Sequence, residues 1–308
     1  MKKRLLRCAA MGLIAALLLS GCAPIVGEAP RNFTVYATFY PIYALTEMIV
    51  DGAPDLELHC LVQPQDDCLR SYALSDWDLY LLAYSADAVI AAGQGLEGYS
   101  DALESLAESS VPLIEVMYGI ELYQGNEIDE DSHFSGDNPH AYLSIDGAIE
   151  IARRIAAMLS MVNEVNADVF ERNFARTQEK LEDLKLRVQE QTKDCAGIKA
   201  AVLNEALFYV AQGCGLEIVT WFERESGTML YGTSMDECLN RLRESSAQMV
   251  LIEQQAPQAL QTALEEAGYA VARLDILSTR GEADGMQGYF EAMEENARAI
   301  AQAVRMNE

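Results

Sequence analysis

The sequence predicts an α/β protein in which two parallel-sheet α/β lobes are bridged by one long rigid helix. Strand-like and helix-like segments alternate in both halves of the chain, and a long amphipathic stripe separates the halves. Strands that alternate with helices indicate βαβ units and therefore parallel sheets. The chain of 308 residues is long enough for two lobes of ordinary size.

The N-terminal lobe is predicted over residues 33–160. Its apolar segments have strand character, and helical segments separate them. Ser75-Asp76-Trp77-Asp78 has the spacing of a capping box, which predicts the start of a helix. Strands are expected at 33–39, 56–62, 86–93 and 112–117, with helices at 43–50, 75–85 and 98–108. The acidic, polar residues 123–138 are predicted to form a loop.

A linking helix is predicted over residues 161–195, after a helix that starts near Asp146. Apolar residues recur there at spacings of three and four, which is one face of a helix. They are Phe170, Phe174, Thr177, Leu181, Leu184 and Val188. A helix of about 28 residues would span roughly 40 Å. A coiled-coil dimer is the alternative, but the short stripe with its Thr177 favours a rigid spine in a monomer.

The C-terminal lobe is predicted over residues 196–308, where the alternation of strands and helices resumes. Strands are expected at 199–203, 216–222, 248–253 and 269–274. Helices are expected at 206–212, 236–244, 257–267 and 289–304. Because the strands are separated by helices, this lobe should again contain a parallel sheet.

The N-terminus has the pattern of a bacterial lipoprotein signal. Basic residues precede an apolar run at 9–19, and Leu19-Ser20-Gly21-Cys22 reads as a lipobox. The run is short for a membrane span. We expect cleavage before Cys22, lipid on its thiol and a tether over residues 23–32. An ordinary signal peptide is the alternative. The lipoprotein reading predicts an extracytoplasmic protein that is lipid-anchored to a bacterial membrane.

Composition and motifs exclude several function classes. The formal net charge of −26 argues against a nucleic-acid partner, which requires a basic surface. The chain has neither a G-x-S-x-G nor an H-E-x-x-H motif and holds three histidines, so we expect no enzyme. The cysteines form no CxxC pair. Cys60 with Cys68, or Cys214 with Cys238, are possible disulfides, and the pairing stays open.

Four segments lie where a ligand site could form. In open parallel sheets ligands bind beyond the carboxyl ends of strands. Such positions are occupied by Pro64 to Tyr72, by the loop of Asn138-Pro139-His140, by Asn204-Glu205 and by Asp275. Two segments belong to each lobe, so they could converge in the cleft between the lobes. His140 is the candidate metal ligand, since neutral imidazole suits zinc and other transition metals.

The order of motifs resembles the zinc/manganese solute-binding lipoproteins of bacterial ABC transporters. The resemblance covers about residues 33–305. It rests on the lipobox, P-x-x-D-x-x-x-S-Y at 64–72, D-A-V-I-x-x-G-x-G-L-E at 87–97, N-P-H-A-Y at 138–142 and L-D-I-L at 274–277. It implies two α/β lobes bridged by a rigid helix. It also implies transport of Zn2+ or Mn2+ to an ABC transporter permease.

The resemblance implies a metal site of three histidines and one carboxylate, which this chain matches only in part. His140 and Asp275 stand at a histidine and at the carboxylate position. Arg70 and Asn204 occupy the positions of the other two histidines. An arginine has no lone pair to donate and is permanently charged, so it cannot be a ligand.

Three arrangements of this site stay open. In the first, Arg70 points away, and Asp67 (or Asp66 or Cys68) joins His140, Glu205 and Asp275 around a metal ion. In the second, Arg70 pairs with Asp275 or Glu205 in a site that no longer binds metal. In the third, the cleft binds an anionic or chelated solute through Arg70. A lipoprotein that kept the fold as an adhesin or scaffold is the alternative function.

Overall fold

Two parallel four-stranded sheets form the centres of the two lobes. They are seen in a computed structural model that describes residues 31–64, 69, 72–108, 111–123, 138–222 and 235–306. The predicted fold class is confirmed, because all the strand pairs in both sheets are parallel. The predicted signal peptide with Cys22 and most of the predicted tether and acidic loop lie outside the described residues.

The first sheet has the strand order β2-β1-β3-β4. Its strands are β1 (Phe33–Ala37), β2 (Leu56–Cys60), β3 (Ala88–Ala91) and β4 (Leu113–Glu115), with α1 (Tyr40–Val50), α2 (Asp76–Ser85) and α3 (Ser100–Ala107) between them. The predicted capping box at the start of α2 is confirmed: Ser75 Oγ accepts from Asp78 N, and Asp78 Oδ2 accepts from Ser75 N. Helix α1 starts three residues before its predicted position, with Pro41 in the first turn, where its missing N–H costs nothing.

The second sheet repeats this topology, with the order β6-β5-β7-β8. Its strands are β5 (Lys199–Val202), β6 (Glu217–Trp221), β7 (Met249–Glu253) and β8 (Ala270–Leu274). The central strand β7 is buried along its whole length, as expected for a parallel strand covered on both faces. The helices of this lobe are α6 (Leu207–Gly213), α7 (Met235–Ser245) and α8 (Gln258–Glu266).

A pair of packed helices separates the two sheets in the chain. Helix α4 (Ile145–Val162) packs against α5 (Ala167–Gln191). The 25 residues of α5 correspond to about 37 Å. Its buried face contains the predicted stripe except for Phe174, which is only partly buried, and it also includes Asn173. Asn173 is buried because its amide donates to Ile49 O and Asp51 O, at 2.8 Å each, where α1 ends.

The C-terminal helix α9 (Gly285–Met306) contacts both lobes. It packs against β8 of the second sheet and against α1 and α5. It begins four residues before the predicted Tyr289, and its first turns contain Gly285 and Gly288 although glycine is a poor helix former. Gly288 is required at the contact with α1, since a Cβ there would lie 2.5 Å from the Tyr40 hydroxyl oxygen.

The apolar core is continuous between the lobes. One cluster of buried side chains includes Val35 in β1, Ile151 in α4 and Leu251 in β7. A second, smaller cluster around Ile252 and Leu260 belongs to the C-terminal lobe. The described residues from Phe33 onward therefore form one compact unit.

The proposed pairing of Cys214 with Cys238 is wrong. Both are buried free thiols, as are Cys60 and Cys195. Cys214 lies in the shared core and Cys238 in the smaller core of the C-terminal lobe, so they belong to different clusters. The other candidate pair includes Cys68, which lies outside the described residues. Within the described ranges, no helix is long and apolar enough to cross a membrane.

Candidate metal site

The imidazole of His140 is oriented by Asn138. The backbone N–H of His140 donates to Asn138 Oδ1 at 3.1 Å, and its ring Nδ1 lies 2.9 Å from the same oxygen. The Asn138 amide oxygen carries no hydrogen and can only accept, so Nδ1 is the donor and carries the hydrogen. The lone pair of the neutral ring is then on Nε2. Metal-binding histidines are commonly oriented in this way by a hydrogen bond to the other ring nitrogen.

The loop of His140 is fixed to the C-terminal lobe. Asn138 Nδ2 donates to Glu205 O at 2.7 Å, and Tyr209 on α6 donates its hydroxyl to Asn138 O at 2.7 Å. Two predicted site segments, Asn138-Pro139-His140 and Asn204-Glu205, are therefore in direct contact. The side chain of Asn138 makes this contact while it also positions His140.

The side chain of Asn204 stabilises the local turn before α6. Its Oδ1 accepts from Ala206 N at 2.9 Å, and its side chain is buried. An amide in this position stabilises the bend that follows β5. Glu205 comes next, beyond the carboxyl end of β5, and its backbone carbonyl contacts the His140 loop through Asn138.

Asp275 directly follows β8 and is almost completely buried, with an exposed fraction of 2%. Its backbone N–H donates to Asn296 Oδ1 at 2.7 Å, and Asn296 Nδ2 donates back to Asp275 O at 2.8 Å. Its carboxylate accepts from Leu277 N at 2.6 Å and from Arg280 Nε at 2.7 Å. Asp275, the carboxylate predicted as a ligand, therefore forms an ion pair with an arginine.

Helix α9 anchors both the His140 loop and Asp275. Tyr289 donates its hydroxyl to Tyr142 O at 2.8 Å, and Asn296 holds the backbone of Asp275. These two residues of α9 are seven positions apart, or about 10 Å along the helix axis. The segments of His140 and Asp275 thus lie against neighbouring stretches of the same helix.

The segment after Asp275 contacts the start of the predicted 64–72 segment. A Cβ on Gly281 would lie 2.6 Å from Pro64 Cγ, so glycine is needed for this close approach. Glu282 accepts from Cys60 N at 3.4 Å in the same region. Two of the predicted segments, 138–140 and 204–205, are therefore in direct contact, and a third begins at Pro64 beside Gly281, six positions after Asp275.

Part of the predicted site lies outside the described residues, namely Asp67, Cys68 and Arg70. Within the residues that are described, no group of three or more His, Cys, Asp or Glu side chains is arranged to hold a metal ion. His140, Glu205 and Asp275 are all described, so these three proposed ligands do not form such a group in this structure.

Two residues around Asp275 were missed by the sequence reading. Arg280 lies in a glycine-containing loop with no periodic pattern, and Asn296 lies within an amphipathic helix that was read only for its apolar face. Arg70, the arginine that the sequence offered as a partner of Asp275 or Glu205, lies outside the described residues, and the arginine seen on Asp275 is Arg280. The sequence could have drawn attention to Asn296 in one way: it is a polar residue on the buried face of α9.

The motif that ends in Glu97 is structural in this fold. Glu97 is buried and accepts from Thr38 Oγ1 at 2.9 Å, Ala92 N at 2.7 Å and Gly93 N at 3.0 Å. Burial raises the pKa of its carboxyl group. The residues it joins follow β1 and β3, where the strand order of the sheet reverses. Glu97 therefore fills the crevice that binds ligands in many open α/β sheets.

Residues 35–303 match the family described as zinc-uptake complex component A periplasmic (ZnuA). This match covers most of the chain. The chain belongs to this family. Zinc-binding lipoprotein AdcA of Streptococcus pneumoniae (strain ATCC BAA-255 / R6) is 26% identical in an alignment of 312 positions that covers 95% of this chain and 61% of AdcA. This chain thus spans about three fifths of the length of that relative.

A second relative matches most of this chain, and a solved structure has the same fold. High-affinity zinc uptake system protein ZnuA of Bacillus subtilis (strain 168) is 23% identical over 86% of this chain and 86% of its own length. The solved structure of the solute-binding protein FpvC from Pseudomonas aeruginosa, in complex with Mn2+, superposes with a TM-score of 0.79. It is 19% identical and covers 90% of this chain and 100% of FpvC. At that identity the likeness establishes the fold of this ZnuA-family chain.

Proposed function

We propose that this chain is an extracytoplasmic solute-binding protein that binds Zn2+ or Mn2+ between its lobes and delivers it to an ABC importer. The membership of the zinc-uptake family supports this proposal, as do relatives whose names or structures refer to zinc and manganese. The permease is the proposed partner. A lipid on Cys22 is the proposed membrane anchor. Binding and release need no chemical turnover.

The orientation of His140 carries the proposal. Asn138 holds Nδ1 as a donor and so fixes the tautomer in which Nε2 has the lone pair. The same asparagine ties this loop to Glu205 in the other lobe. A histidine that only filled a core position would not require an oriented ring at a contact between two lobes.

The proposed ligands are His140, Glu205, Asp275 and Asp67. Carboxylate oxygens and one imidazole suit Zn2+ and Mn2+, and three carboxylates would compensate the charge of a divalent ion. Cys68 could replace Asp67 with a thiolate, which would favour Zn2+ over Mn2+. Arg70 supplies no lone pair, so we place it outside the ligand set.

Calorimetric titration of residues 23–308 with Zn2+ and Mn2+ tests the proposal. We expect a dissociation constant tighter than about 10 μM, equivalent to roughly 7 kcal/mol. His140→Ala should weaken binding at least about 100-fold, because it removes a ligand and not only a group that orients one. His59→Ala is the matched control, since His59 lies on β2 with its ring between Glu57 and Glu282.

Other outcomes would favour the alternatives. If neither ion binds to the folded protein, the metal-transport proposal fails and an adhesin or scaffold role gains support. If His140→Ala and His59→Ala weaken binding equally, the ion binds elsewhere. Binding of an anionic or chelated solute in place of the free ion would favour a role for Arg70 in the cleft.

A further inference from the structure

The carboxylate of Asp275 already has a cationic partner. Arg280 Nε donates to Asp275 Oδ2 at 2.7 Å, and Leu277 N donates to Oδ1 at 2.6 Å. A guanidinium cannot be deprotonated in a protein, so this partner is permanently charged. A divalent ion that approaches Asp275 would meet a fixed positive charge at hydrogen-bond distance from the same oxygen.

The loop that follows Asp275 turns back, so that Arg280 contacts the Asp275 carboxylate. Arg280 N donates to Leu277 O at 3.4 Å, which closes a turn. Leu277 has a φ of 70° and a completely buried side chain. A leucine is sterically disfavoured in the left-handed region, so the surrounding packing holds the turn in place. The ion pair is therefore part of a defined loop conformation.

Arg280 has further carboxylates within reach. Its side chain is 17% exposed, and its terminal nitrogens lie 3.6 Å from Glu295 Oε2 and 4.0 Å from Asp284 Oδ1. Both carboxylates are more exposed than Asp275. A guanidinium that leaves Asp275 can thus stay paired after a small side-chain movement, without being transferred to bulk water as an isolated charge.

We propose that Arg280 is an internal cation that competes with the transported divalent ion for Asp275 and so sets the affinity of the site. This inference rests on the proposed function. When the metal ion binds, Arg280 moves from Asp275 to Glu295 and Asp284, and Asp275 becomes a ligand. Because the ion must displace a buried charge-assisted hydrogen bond, which is among the stronger kinds, Arg280 lowers the affinity for all divalent ions.

Titration of Zn2+ into charge variants tests the competition. Arg280→Gln should bind Zn2+ at least about tenfold more tightly than the wild type, or roughly 1.4 kcal/mol. Arg298→Gln is the control, because Arg298 is exposed on α9 and its loss changes the net charge equally. Arg280→Lys keeps the competing charge and should stay within about threefold of the wild type. Asp275→Asn combined with Arg280→Gln should abolish the gain.

A second variant does not disturb the buried ion pair. Glu295→Gln removes the negative charge of an exposed partner for the displaced guanidinium and should weaken Zn2+ binding about threefold. Unchanged or weaker binding by folded Arg280→Gln, or no effect of Glu295→Gln, would overturn the role of Arg280 while leaving metal binding intact. Absence of Zn2+ binding in every variant would instead overturn the proposed function, and this inference with it.

Discussion

At the scale of single residues, Asn138 links His140 to the second lobe by hydrogen bonds. Its oxygen accepts from both the backbone and the ring of His140, and its amide nitrogen donates to Glu205 O. One side chain therefore sets the tautomer of the proposed ligand and the contact with the second lobe. The sequence motif named Asn138 but gave no reason for it. The three hydrogen bonds supply that reason.

Asn138→Ala should weaken Zn2+ binding by about 10- to 100-fold, because the ring of His140 loses the group that orients it. Calorimetric titration measures the change. Asn173→Ala is the matched control, since Asn173 is also a buried asparagine bonded to backbone carbonyls. It should lower the free energy of unfolding and leave the dissociation constant unchanged. Equal affinities of Asn138→Ala and wild type would contradict the orienting role.

Single residues also mark where prediction from the sequence ended. His140 and Asp275 were identifiable because each directly follows a recognisable motif or strand. Arg280 was not, because its partnership with Asp275 depends on a turn with Leu277 in a left-handed conformation. Local pattern does not predict that conformation for a leucine. Asn204 was expected near the metal, whereas the structure uses its side chain to stabilise a turn.

At the scale of elements, helix α9 holds the site together. It bonds the His140 loop through Tyr289 and the Asp275 backbone through Asn296, and it packs against α1 of the other lobe. Tyr40 on α1 donates its hydroxyl to Gly285 O at 2.8 Å. Burial raises the pKa of Tyr40, which keeps this hydroxyl protonated as a donor.

Gly288→Ala should destabilise the protein by about 1–3 kcal/mol, as overpacking of a tight contact does. The new Cβ would lie 2.5 Å from the Tyr40 hydroxyl oxygen and 2.8 Å from Asp284 Cβ. Urea unfolding followed by circular dichroism measures the loss. Gly213→Ala is the control, because nothing lies within 4 Å of a Cβ at this helical position. If both variants had the same unfolding midpoint, α9 would not be tightly packed on α1.

Elements were the best-predicted level of the structure, and the reasons are physical. Buried parallel strands such as β3 and β7 are continuous apolar runs, and α5 has a regular buried stripe. These patterns depend on neighbours in the sequence. The contact of α9 with both lobes depends on residues that are hundreds of positions apart, such as Tyr40 and Gly285. The sequence reading therefore assigned this helix to the C-terminal lobe alone.

At the scale of the whole molecule, the lobes are joined by more than the predicted linking helix. The main core cluster extends through both sheets, and α9 adds hydrogen bonds across them. These contacts oppose a wide hinge opening. The proposed movement of the Arg280 side chain from Asp275 to Glu295 and Asp284 is local, so it does not require the two lobes to separate. The chain's net charge of −26 favours the approach of cations in general.

Anomalous diffraction at the zinc absorption edge tests the central claim most directly. Crystals of residues 23–308 grown with one equivalent of Zn2+ should show a single strong peak about 2.0–2.1 Å from His140 Nε2, the usual zinc–imidazole distance. Arg280 should then be found away from Asp275, with one carboxylate oxygen of Asp275 on the ion. A peak remote from His140, or none in crystals that contain zinc, would contradict the assignment of this cleft as the metal site.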